Sequence, residues 1–152
     1  MFVQAVRQPK TPGESLKFLP PAELPPDLHW AKANPIVAQA FARFSTVINQ
    51  AAEQSKPLQV QKHVLSLISK WQGEPAGPSK RWINEETKDF DEPAKTVAQL
   101  TLLASVAPWQ IDESIILKFK QYVPEDHSLV STLAWGNLAA RRIGTWLQIT
   151  NT

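Results

Sequence analysis

Proline placement constrains this 152-residue chain more than any other feature. Six of the 13 prolines fall within residues 1–33, and the later ones stand at the edges of segments whose apolar residues recur at helical spacing. A proline ring fixes φ and removes an amide donor, so it is excluded from a helix interior and a central strand but suits the first helical turn. The chain therefore divides into an extended, proline-rich arm over 1–33 and a single helical domain over 34–152. Phe2, Leu16, Phe18, Leu19, Leu24 and Leu28 lie among the arm's prolines. A free linker is more polar than this, so the arm is expected to lie against its own helical body or a neighbouring subunit.

Asn34 can cap a helix that Pro35 begins, and Ile36, Val37, Ala40, Phe41, Phe44, Val47 and Ile48 form its expected inward stripe over 35–54. A second helix is expected over 58–71, with Val60, Val64, Leu65, Leu67, Ile68 and Trp71 on one face. Ser79 can cap a short helix running to about Lys88. Asp91, Glu92 and Pro93 start the next, with Val97, Leu100, Leu103, Ala104 and Ala107 inward and Pro108 as its stop. Asp112 and Glu113 open a fifth, turning Ile115, Ile116, Phe119 and Tyr122 inward. Pro124, Glu125 and Asp126 open a sixth, reaching about Gln148. No segment alternates strictly between apolar and polar with turn-rich flanks, so the class is all-α: a compact bundle of about six helices.

Composition removes whole classes of chemistry. Without cysteine there is no disulfide framework, thiolate zinc site, iron–sulfur cluster or thiol nucleophile. The formal charge is only +2, and its lysines and arginines are scattered, which argues against nucleic acid. MFVQAVRQPK lacks the apolar core of a signal peptide and no run of about 18 apolar residues occurs, so no membrane segment is expected and the cytoplasm is the expected compartment. His29, His63 and His127 lie in different segments without metal-ligand spacing, and His63 and His127 read as surface residues; no metal and no cofactor is implied.

The stretch DEPAKTVAQLTLLASVAPWQIDESIILKFKQYVPEDHSLVSTLAWGNLAARRIGTWL resembles the carboxymuconolactone decarboxylase and alkylhydroperoxidase D-like superfamily. Its Leu- and Ala-rich helix, Pro-aromatic break, acidic helix start and long Ala-rich helix with arginine follow that pattern. NPIVAQAFARF and PLQVQKHVLSLIS are similar to the family's earlier helices, so the resemblance spans roughly residues 34–147. It implies an all-helical subunit that assembles into a homo-oligomer, with a pocket near the family's active segment. By position that segment here is WQGEPAGPSKRW, which has neither the Cys-x-x-Cys pair nor the histidine of its relatives. None of the family's catalytic residues can be carried over, and peroxide reduction by a dithiol is chemically excluded.

Within that loop Glu74 is a weak candidate for acid or base work if Trp71 and Pro75 desolvate it, although loop glutamates are usually solvated. Trp71 and Trp82 are candidate walls of a ligand pocket, against the simpler reading that indoles and prolines pin the loop to the helices. Arg142 falls on the same helical face as Trp135, Trp146 and Ile149; buried, it would need an anion such as a small carboxylate, while the simpler reading stacks it on an indole. Arg141 is expected to face water. The sequence thus favours a non-catalytic or small-molecule-binding homo-oligomer. The alternative is a non-redox enzyme, of lyase or hydrolase type, acting on a small organic acid through Arg142 and Glu74.

Overall fold

The protein is described here from a computed structural model, which covers residues 17, 18 and 20–143. Every regular element among these residues is helical, and no strand occurs among them. The α-helices are α1 (Pro35–Ser55), α2 (Leu58–Lys70), α3 (Arg81–Glu86), α4 (Glu92–Val106), α5 (Glu113–Tyr122) and α6 (Asp126–Ala140). Two 3₁₀ segments, Pro26–Ala33 and Pro108–Gln110, join them. Contacts group the chain into two compact units, Met1–Asn49 and Gln50–Thr152, so the division falls inside α1.

In the first unit the part of the arm that is described is not wholly extended. Pro26–Ala33 makes 3₁₀ turns interrupted at Leu28, which takes φ −106° and ψ 15°. Arg43 Nε donates to the Pro20 carbonyl at 3.0 Å and Gln39 Nε2 to that of Ala22 at 3.4 Å, so segment 20–22 is tied to the start of α1. Asn34 caps α1 as expected, its Oδ1 accepting from the amides of Ile36 and Val37 at 3.2 and 3.3 Å.

The side that α1 buries differs from expectation. Small residues are buried on it, Ala38, Ala42 and Ser45, whereas Ala40, Phe41, Phe44 and Val47 are exposed. The 3.6-residue period is present, but its large apolar members point to water.

In the second unit α4 is the centre, packing against α2, α3, α5 and α6. Asp91 caps it by accepting from the Ala94 amide at 2.9 Å, and Pro108 follows its end. Its expected stripe is buried, and so are Thr96, Ala98, Gln99, Thr101, Leu102 and Ser105, so α4 is enclosed on nearly every side. Enclosure is tolerable because these polar side chains find partners close by. Thr101 Oγ1 donates to the Val97 carbonyl at 2.6 Å, and Ser105 Oγ lies 2.8 Å from the Thr101 carbonyl and 2.9 Å from that of Gly136. Gln99 Nε2 bridges Asn84 Oδ1 and Thr87 Oγ1 at 3.0 and 3.2 Å.

Gly136 lets α6 approach α4 closely. A Cβ there would stand 2.7 Å from the Thr101 carbonyl oxygen and 2.9 Å from the Ala104 Cβ. Three further expectations are corrected. Tyr122 is 44% exposed because α5 ends there and only Phe119 is fully inward. The helix opened near Ser79 is shorter than expected, since Thr87 leaves helical backbone. Helix α6 stops at Ala140 rather than near Gln148; residues 141–143 turn, and the remainder lies outside the described residues.

Candidate functional site

The loop between α2 and α3 is built to turn tightly and be held from below. Trp71 ends α2 by taking φ −68° and ψ 121°. Gly73 and Gly77 then adopt φ +89° and +68°, the left-handed region that side chains with a Cβ rarely enter. Glu74 Oε2 accepts from the Gln72 amide at 3.2 Å, a local turn contact, and its side chain is exposed. Ser79 Oγ accepts from the Arg81 amide at 3.2 Å where α3 begins.

Trp71 and Trp82 meet across the loop with ring centroids 6.0 Å apart and planes inclined at 55°. Such a pair contributes about 1 kcal/mol beyond its buried area. The Trp82 indole N–H donates to Gln110 Oε1 at 3.0 Å, and Gln110 Nε2 donates to the Gly77 carbonyl at 2.5 Å. One buried amide from the Pro108–Gln110 turn therefore holds both an indole and the loop backbone. Lys80 adds an ion pair with Asp112, whose carboxylate also accepts from Ser114 Oγ at 2.6 Å and the Ile115 amide at 3.2 Å. The Lys80 contact, followed by the Ser114 and Ile115 donors, holds the Asp112 carboxyl well below the usual carboxylate range.

Two open clefts flank this loop. One, of about 600 Å³, is lined by Pro75, Gly77, Pro78, Lys80, Trp109, Gln110 and Asp112. The other, of about 460 Å³, is lined by His63, Ser66, Leu67, Lys70, Trp71, Glu74 and Glu86. The second unites three kinds of chemistry: a cation at Lys70, carboxylates at Glu74 and Glu86, and an imidazole at His63.

Sequence reading placed His63 on the surface; it is half-buried instead, its ring standing edge-on to Phe90 at 5.2 Å. His63 Nε2 is buried without a hydrogen-bond partner among the described residues. Burying a polar nitrogen unpaired costs about 1–3 kcal/mol, so a ligand atom that satisfies it would gain by doing so. No periodicity announces this, because Phe90 lies well along the chain from His63.

The candidates from sequence are partly brought together. Trp71 and Glu74 line the smaller cleft and Trp82 packs on Trp71. Arg142 lines neither cleft; it is half-buried in the turn after α6, its amide donating to the Ala139 carbonyl at 3.1 Å. Trp146 and Ile149, expected on the same face, lie outside the described residues. Arg141, expected in water, is half-buried with Nη1 on the Leu138 carbonyl at 2.7 Å.

A cation found over Trp135 is Lys56, with Nζ 5.4 Å from the ring centroid and 3.4 Å from the Ser131 carbonyl. Burial pushes the Lys56 ammonium down from its ordinary 10.5 to about 8. No group of three or more His, Asp or Glu side chains among the described residues could hold a metal ion.

The helices and the tight loop after the second of them are consistent with the alkylhydroperoxidase D-like resemblance, and the chain has no thiol to act in that loop. The chain is similar to the alkyl hydroperoxide reductase Rv2159c of Mycobacterium tuberculosis, to which it is 35% identical over 148 residues. That match takes in 97% of this chain but 42% of the relative, so the chain spans less than half of that protein's length. No family model matches the chain, and no solved structure matches it.

Proposed function

We propose that this chain is a thiol-free alkylhydroperoxidase D-like protein that binds a small organic molecule, a carboxylate foremost, in the cleft beside Trp71, and that it works as a homo-oligomer without reducing hydroperoxides. The observation that carries the reading is that the His63 imidazole, the Lys70 ammonium and the Trp71 indole line one cleft. Lys70 supplies the charge for a ligand carboxylate, Trp71 an apolar wall, and the imidazole a hydrogen-bonding position. Trp82 belongs to the site indirectly, by backing Trp71. Arg142 remains a candidate carboxylate holder only if it acts outside the two clefts. A cytoplasmic location belongs to the same reading; no helix among the described residues is long and apolar enough to cross a membrane.

A non-redox enzyme acting on a small organic acid is the second reading, favoured by His63 and Glu74 lining one cleft, where imidazole and carboxylate could share proton transfer. Titration with short mono- and dicarboxylates, read by indole fluorescence, tests the binding. The expected result is saturable quenching in the wild type and its loss in His63→Leu with Lys70→Met. Identical titration curves for wild type and variant would remove the cleft from the proposal. Turnover of an alkyl hydroperoxide by the purified chain would overturn the proposal as a whole.

A further inference from the structure

We propose that the outward side of α1, centred on Phe44, is a self-association surface on which a second copy of this chain docks through its own α1. This rests on the homo-oligomer half of the reading above and adds the surface that makes it. Phe44 and Val47 are 52% and 61% exposed, and Phe41 is 36% exposed with its ring 5.4 Å from the half-exposed Trp30. At about 200 Å² for each fully presented aromatic side chain, Trp30, Phe41 and Phe44 leave roughly 280 Å² of ring surface in water. A standard interface takes about 800 Å² from each partner and places its apolar part at the centre within a polar rim, so these rings fill a fair share of that centre.

Charge is nearly absent here, since Arg43 is the one charged residue between Pro35 and Ala52. An isolated helix face facing water normally carries charges or amides; this one carries phenylalanine and valine.

Self-complementarity selects a second copy over another partner. Counting from Phe44, the face reads Ala40 and Phe41 toward the amino end and Val47 and Ile48 toward the carboxyl end. If two copies cross antiparallel about a twofold axis at Phe44, residues equidistant from the axis meet. Phe41 then faces the partner's Val47, and Ala40 faces the partner's Ile48. Each pairing sets a larger side chain against a smaller one, which is how facing ridges and grooves fill.

The absence of cysteine makes a clean test possible, because one introduced thiol is the only thiol present. Sedimentation of the full chain should give a dimer or a multiple of it. Phe44→Lys should raise the dissociation constant about thirty-fold or more, the effect of losing an interface hot spot, with helical content unchanged. If Phe44→Lys loses helical content, Val47→Lys, at the more exposed position, replaces it. Under mild oxidation Phe44→Cys should form a covalent dimer, since a residue on a twofold brings two Cα atoms within the ~7 Å a disulfide allows, while Leu58→Cys, also exposed, should not. An assembly that survives the lysine substitution, or cross-linking no greater than at position 58, overturns this surface while leaving oligomerisation standing. A monomeric wild type overturns both.

Discussion

Helices α1 and α4 carry the same kind of apolar repeat and meet opposite fates. In α4 residues from Thr96 to Ser105 are all buried, including the threonines and the glutamine. In α1 the phenylalanines are exposed while Ala38, Ala42 and Ala52 are buried, and the first residue beyond it, Lys56, is itself buried. Periodicity reports that a helix has an apolar face; it does not report what covers that face. Coverage comes from distant parts of the chain or from other chains. The polar residues of α4 can be interior because Thr and Ser return their hydroxyls to the preceding helical turn, whereas a phenylalanine has no local means of escaping water.

The largest contrast is expected from truncation. Leu102→Ala in α4 removes a fully buried side chain and should cost about 3 kcal/mol in urea unfolding, cavity included. A loss under about 1 kcal/mol would mean that α4 is not the enclosed centre described here.

Lys56 sharpens the comparison from the other direction, since a charge occupies an interior position while rings occupy the surface. Its folded pKa of about 8 lies below the ordinary 10.5, so between these values the unfolded chain holds a proton that the folded chain has released. Stability therefore rises as pH climbs from about 8 to 10.5, by on the order of 3 kcal/mol, and the penalty is present in full below pH 8. In Lys56→Met that slope should disappear and stability near pH 7 should increase. Thermal unfolding of both proteins across this range decides it: parallel pH profiles would show that the ammonium is not desolvated.

Gly136→Ala probes the contact between α6 and α4. The new methyl would meet a backbone carbonyl at 2.7 Å, which cannot swing aside as a side chain would, so the helices must separate. Overpacking of this kind costs about 1–3 kcal/mol. Unchanged unfolding would show that α4 and α6 are not in close contact at this point.

What could be read from the chain follows the same division between local and distant causes. Asn34, Asp91 and Asp112 cap the helices they were expected to cap, and Pro108 follows the end of α4, because capping and proline effects act within a few residues. The turn between Trp71 and Trp82 was legible as a break between two helices, since its prolines and glycines act locally. Its most informative neighbours were not. Gln110 reaches Gly77 from another element, Phe90 half-buries His63, and Lys56 lies over an indole on α6. None of these pairings leaves a period or a spacing in the sequence. The alkylhydroperoxidase D-like resemblance supplied the position of the loop but could not supply its chemistry, because the residues that define that chemistry are missing from this chain.

The smallest effect is expected where the comparison began. Phe44→Ala removes as large an apolar group as any in α4, yet the ring is half in water in the folded subunit and should be almost fully so in the unfolded chain. Its truncation should change the stability of an isolated subunit by less than about 1 kcal/mol, well below the loss at Leu102. Unfolding in urea at protein concentrations low enough to keep subunits apart measures this. A loss as large as that of Leu102→Ala would place Phe44 inside the subunit, and the opposition between the two helices would be gone.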